Sequence, residues 1–167
     1  DYPFTTLEPN LGVVGLSENR TFVVADIRGI IEGAHTGKGL GLRFLQHVER
    51  TRVLAFLIPL DSPEPQKVYE QLRLEIQAHS EPLFQKPHVV LLSKRDLVPA
   101  GDRLPAMETP GAMGTLAFSS VAGTGLDDLK EYLWKAVARA RQEEAVAAES
   151  AGDEMEDVHA HGRSGPP

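Results

Sequence analysis

Three short stretches of this chain hold residues whose types and spacing suit the chemistry of phosphate, metal and purine. In Asp26-Ile27-Arg28-Gly29, a carboxylate can hold a hydrated Mg²⁺. The glycine three residues on lets a backbone N–H approach a phosphate closely. In Ser93-Lys94-Arg95-Asp96, the aspartate can accept two hydrogen bonds from a guanine edge, while the lysine stem packs over a base and its ammonium stays in water. In Ser119-Ser120-Val121-Ala122-Gly123, backbone N–H groups can meet a purine oxygen. Each stretch taken alone reads better as an ordinary polar turn. Their value lies in order and spacing.

Such loops need strands to place them. Short apolar runs at residues 11–16 and 21–27 predict two strands joined by the turn Ser17-Glu18-Asn19-Arg20, an antiparallel hairpin. Residues 52–60 are nearly all apolar and predict a strand of the kind buried on both faces in a parallel sheet. Residues 88–92 and 115–118 predict two more strands, and 100–114, rich in Pro and Gly, predicts no element. Helical periodicity marks residues 40–50, 66–79 and 126 to about 141. Strands alternating with helices mean an α/β fold with a parallel sheet. In that fold, ligands bind beyond the carboxyl ends of the strands, where all three stretches fall.

Composition narrows the chemistry. The chain has 167 residues and no cysteine, so disulfides, thiolate zinc sites and cysteine nucleophiles are excluded. No apolar run approaches the ~18 residues of a membrane helix, and the chain reads as cytoplasmic. The net charge is −7. From Gln142 onward there are seven acids and one base, while the preceding residues carry 16 bases and 17 acids. A nearly neutral body of residues 1–141 is therefore expected to carry a disordered acidic tail, 142–167. Such a tail gives no electrostatic case for nucleic-acid binding.

The order of the three stretches resembles the guanine-nucleotide boxes of Ras-like GTPases: DxxG, NKxD and SAx. Two long segments narrow the resemblance to the Obg family. These are Tyr2-Pro3-Phe4-Thr5-Thr6-Leu7-Glu8-Pro9-Asn10-Leu11-Gly12 and Ala25-Asp26-Ile27-Arg28-Gly29-Ile30-Ile31-Glu32-Gly33-Ala34-His35. The match continues through Gly39-Leu40-Gly41 and Glu49-Arg50-Thr51-Arg52 and covers about residues 2–141.

The resemblance implies a Ras-like P-loop NTPase sheet with flanking helices, GTP and GDP as ligands, Mg²⁺ as cofactor, and hydrolysis of GTP to GDP. It also implies a switch in large-ribosomal-subunit assembly and growth control, with rRNA and ribosomal proteins as partners. By the same analogy Thr6, or Thr5 beside it, would coordinate Mg²⁺ within the segment Phe4-Thr5-Thr6-Leu7-Glu8. Asp26 would reach the metal through water, and the N–H of Gly29, after Ile27 and Arg28, would bind the γ-phosphate. Asp96 would read guanine, Lys94 would cover the base, and Ser93, Arg95, Ser119, Ser120 and Val121 would complete the pocket. Where Ras-like enzymes carry a water-orienting glutamine, this chain has Ile30. Glu32 and His35 are the nearby candidates for that role.

Several positions depart from the family pattern. Ser93 stands for the asparagine of NKxD, Arg28 for the proline of DxPG, and Pro59 for an acidic residue. The sequence contains no GxxxxGK[ST] motif; Gly33 to Lys38 is a near miss whose glycines are too close together. The phosphate loop and the strand before it are therefore expected to be absent. That would leave a gap in the sheet between the strands at 21–27 and 52–60, as in a fragment of a longer GTPase that is inactive by itself. The alternative is a degenerate G domain that binds a ribosomal or protein partner without turnover.

Overall fold

The computed structural model describes residues 10–26 and 50–160. The helix expected at 40–50 lies outside them, as do Phe4, Thr5, Thr6, Leu7, Glu8, Ile27, Arg28, Gly29, Glu32 and His35.

The chain opens with a hairpin of β1 (Asn10–Gly15) and β2 (Thr21–Asp26), antiparallel, with Val13 opposite Val23. The Arg20 N–H donates to the Ser17 carbonyl at 3.4 Å, and both central residues, Glu18 and Asn19, have positive φ (61° and 57°). The Leu16 N–H also donates to the Arg20 carbonyl at 2.8 Å, so the pairing closes around Ser17-Glu18-Asn19. Asparagine adopts positive φ readily, and glutamate does so at a small steric cost.

A parallel sheet follows: β3 (Leu54–Pro59), β4 (His88–Ser93) and β5 (Ala112–Ala117), in that spatial order. Helix α1 (Pro65–His79) and the one-turn α2 (Glu81–Phe84) link β3 to β4, and α3 (Leu126–Ala160) follows β5. Pro65 opens α1, where its missing N–H costs nothing. The Ser80 hydroxyl accepts from the Leu83 N–H at 3.3 Å and caps α2.

Central β4 is buried on both faces from His88 to Leu92. Val90 and Leu92 pack with Phe56, Ile58, Tyr69 and Ile76 beneath α1. Val89 and Leu91 pack with Phe118, Leu129 and Ala136 beneath α3. One helix therefore covers each face, and each buried aliphatic side chain contributes roughly 1.5–3 kcal/mol. The chain departs from a regular ladder where β5 meets β4: His88 faces Ala112 but Val90 faces Thr115. Gly114 sits in that irregularity because a Cβ there would lie 2.2 Å from the Tyr132 hydroxyl of α3.

Four expectations need correction. β3 is shorter than 52–60 and is buried on one face only: Leu54, Phe56 and Ile58 point inward, while Leu57 is 54% exposed. Among the described residues β3 pairs only with β4, and an edge strand tolerates Pro59 at its end. β5 begins at Ala112, inside the stretch expected to lack structure, because the parallel ladder with β4 outweighs its Gly-rich composition. The turn of α2 was not foreseen. Finally, α3 runs to Ala160 instead of giving way to a disordered tail at 142. Alanine and glutamate, which dominate residues 142–149, are strong helix formers whatever their net charge. Arg139 also pairs with Glu143 one turn on at 2.7 Å, and Arg52 Nε donates to Glu144 Oε2 at 2.9 Å, tying the extension back to the approach to β3.

β2 and β3 belong to separate sheets among the described residues. This is compatible with a place for one more strand between them. The hairpin is held instead by Arg20, whose two terminal nitrogens donate to both Glu131 oxygens of α3 at 2.9 and 2.7 Å, with the guanidinium 5.9 Å from the Trp134 ring centre. A planar fork on a carboxylate fixes orientation as well as distance. No helix among the described residues is long and apolar enough to cross a membrane.

Candidate functional site

The carboxyl ends of the three parallel strands bring three loops together. Backbone bonds join them. The Leu60 N–H donates to Ser93 O (3.0 Å), Arg95 N–H to Phe118 O (3.0 Å), and Phe118 N–H to Leu92 O (2.9 Å). The residues after β3, β4 and β5 are thus locked side by side before any side chain acts.

The side chains then divide. The Ser119 hydroxyl, fully buried, donates to Asp96 Oδ1 in a short hydrogen bond. The same oxygen of Ser119 accepts from the Ala122 N–H at 3.0 Å. Asp96 itself is exposed. One of its oxygens is engaged by Ser119, and a carboxylate has further lone pairs to offer. Ser119 therefore fixes the direction of an acceptor-only group that opens to solvent. Its own N–H donates to Thr124 O at 2.9 Å, closing the loop. Gly125 completes that closure: its φ is +73°, and a Cβ would lie 2.8 Å from the Ala117 carbonyl oxygen.

Lys94 takes the left-handed conformation (φ 62°, ψ 41°), uncommon for a side chain without a local hydrogen-bonding group. This sends it away from Asp96, toward β3, where Nζ donates to Asp61 Oδ2 at 2.5 Å. The Lys94 ammonium holds the Asp61 carboxyl below its ordinary value. Arg95 turns back on its own turn, donating to Val98 O at 2.8 Å. Ser93 contributes its backbone carbonyl to the junction with Leu60. Ser120 is exposed, and Val121 is 90% exposed.

The structure thus brings together Ser93, Lys94, Arg95, Asp96 and Ser119, with Ser120 and Val121 on the rim. What it builds is an exposed carboxylate held by the buried Ser119 hydroxyl on one flank of β4, and a lysine paired with Asp61 on the other. Sequence reasoning missed Asp61, Thr124 and Gly125. Only the positive-φ demand at Gly125 could have been suspected from residue type.

The residues expected to hold metal and phosphate are a different matter. Of the residues expected there, Asp26 alone lies within the described residues, exposed at the end of β2. Its hard oxygen suits Mg²⁺ through water. Among the described residues there is no group of three His, Cys, Asp or Glu side chains that could hold a metal ion.

Comparison with known proteins identifies the family. Residues 1–94 match a model of the family described as 50S ribosome-binding GTPase. The chain is 52% identical over 146 residues to GTPase Obg of Chloroherpeton thalassium, covering 86% of this chain and 43% of that protein. It is 50% identical over 153 residues to GTPase Obg of Salinibacter ruber, with 89% and 45% covered. Against GTPase Obg of Porphyromonas gingivalis it is 49% identical over 142 residues, with 83% and 36% covered. The chain spans less than half the length of these relatives.

Proposed function

Because the chain belongs to the family of 50S ribosome-binding GTPases, in its Obg branch, we propose that it forms the base-recognising part of a guanine-nucleotide switch that hydrolyses GTP to GDP. The observation that carries this reading is the pairing of Asp96 with buried Ser119 beside the left-handed Lys94. An exposed carboxylate held by a buried hydroxyl is aimed, and guanine presents two adjacent N–H donors where adenine presents none in that arrangement.

On this reading Thr6 or Thr5, with Asp26 through water, holds Mg²⁺, which neutralises phosphate charge when bound. The Gly29 N–H meets the γ-phosphate, and loss of that phosphate releases the segments around Thr6 and Gly29. Ile30 offers no hydrogen bond to an attacking water, so unassisted hydrolysis is slow. Glu32, His35 or a partner supplies the orienting group. The large ribosomal subunit, in the cytoplasm, is the partner that the family description suggests.

The test is phosphate release from GTP by the full-length gene product. Slow, Mg²⁺-dependent release from GTP, with none from ATP, is expected. Tight association with the large ribosomal subunit and no turnover in its presence would instead support a binding module.

A further inference from the structure

We propose that Asp61 is a positioning residue that stretches Lys94 across the carboxyl ends of β3 and β4, presenting its methylene stem as a pre-formed platform for the face of the base. The inference rests on the guanine-nucleotide reading above and adds to it a residue outside the three motifs.

Two constraints fix the lysine. At its root, the left-handed backbone at Lys94 (φ 62°, ψ 41°) throws the side chain toward β3. At its tip, Nζ is 2.5 Å from Asp61 Oδ2, a residue 33 positions away in sequence. The loops beneath are already joined, since the Leu60 N–H donates to the Ser93 carbonyl at 3.0 Å. The residues just before Asp61 and Lys94 are therefore bonded backbone to backbone, and the side-chain pair spans that junction. Asp96 leaves on the other side, toward Ser119 after β5. Lys94 and Asp96 are thus held apart by separate anchors, one on each flank of β4. A free lysine would fold over or away from the groove in many rotamers. A tethered one has paid that ordering cost before the nucleotide arrives.

The ion pair is half exposed (50% and 43% for the two side chains). Pairs of this kind add little to folding stability, so removing Asp61 leaves the fold intact and its effect appears in nucleotide affinity. The sign distinguishes two roles. If Asp61 pre-organises the lysine, neutralising it weakens binding. If Asp61 instead holds the lysine away from the base as a latch, neutralising it tightens binding.

The experiment is calorimetric GDP binding to the full-length gene product and its Asp61→Asn and Asp61→Glu variants, with melting temperatures measured alongside. Asp61→Asn is expected to bind GDP about 3- to 10-fold more weakly, the range that ordering one long side chain implies. Its melting temperature and its preference for GDP over ADP should match the parent protein. Asp61→Glu should restore most of the affinity, and raising salt should bring the parent protein toward Asp61→Asn, because the tether is exposed. Unchanged or tighter GDP binding by Asp61→Asn, with the parent protein binding normally, overturns the positioning role alone. Failure of the parent protein to bind GDP overturns the guanine-nucleotide reading, and this inference with it.

Discussion

Replacing Asp96 with alanine is expected to lower the GDP affinity of the full-length gene product by about two to four orders of magnitude. On the proposed reading the carboxylate offers charged acceptors to two guanine N–H groups, and such bonds contribute roughly 1.5–3 kcal/mol each. Losing both removes about 3–6 kcal/mol, and every 1.4 kcal/mol is tenfold in affinity. The buried Ser119 hydroxyl also loses its acceptor, so part of the loss comes from a loosened loop after β5. Asp96→Asn separates these contributions. An amide oxygen can still accept from Ser119, but an amide N–H then faces a guanine N–H. That variant should reject GDP and favour xanthosine diphosphate, whose base carries a carbonyl in place of the amino group. Competition between the two nucleotides for both variants checks this. Equal GDP binding by Asp96→Ala and the parent protein would mean that the base lies elsewhere.

The second large effect concerns stability and lies at the opposite end of β4. His88 is 3% exposed, with Nε2 2.9 Å from the Tyr69 hydroxyl and the Phe56 ring edge-on at 5.3 Å between centres. Burial, aided by the positive charge of Arg73, pushes its pKa from 6.5 down to about 4. Burial likewise pushes the Tyr69 hydroxyl up, so both partners stay neutral across the ordinary pH range. The unfolded chain takes up a proton at this imidazole as pH falls through 6.5, whereas the folded chain holds out until about 4. The unfolded state therefore binds more protons in that window, and stability falls as pH falls. The full difference amounts to about 3 kcal/mol, lost between pH 6.5 and 4. His88→Gln keeps a polar partner for Tyr69 without titrating. Its urea-unfolding stability should therefore change less over that window than the parent's. Asp61, Asp127 and Glu131, each held below its ordinary value by an ion-pair partner, lose stabilisation in the same direction. Because both proteins share them, the difference between the two curves isolates His88. Parallel curves would refute the assignment.

The elements that position the loops after β3, β4 and β5 were legible in the sequence because their signals are local. The run at 88–92 is apolar at every position after the histidine, as a strand covered by a helix on each face must be. The hairpin announced itself through a four-residue polar turn between β-branched runs. The edge character of β3 was not legible, because an all-apolar run does not say which face is covered. The helical extension past residue 141 was hidden by its acidity, although helix propensity and charge are separate properties. Lys94, Asp96 and Ser119 could be named from motif order, yet their tethers could not. Asp61 meets Lys94 across 33 positions and Ser119 meets Asp96 across 23, and only the parallel ladder of β3, β4 and β5 makes those pairs neighbours. Ser93 replaces an asparagine side chain, but the backbone carbonyl at that position joins the β3 and β4 loops whatever the side chain is.

The central claim is that the groove at the carboxyl ends of β3, β4 and β5 selects guanine. The most direct measurement is binding of fluorescent GDP to the full-length gene product, challenged with unlabelled GDP, GTP and ATP. Saturable binding that GDP and GTP displace and that ATP leaves untouched is expected. No binding, or displacement by ATP as effective as by GTP, would contradict the central claim.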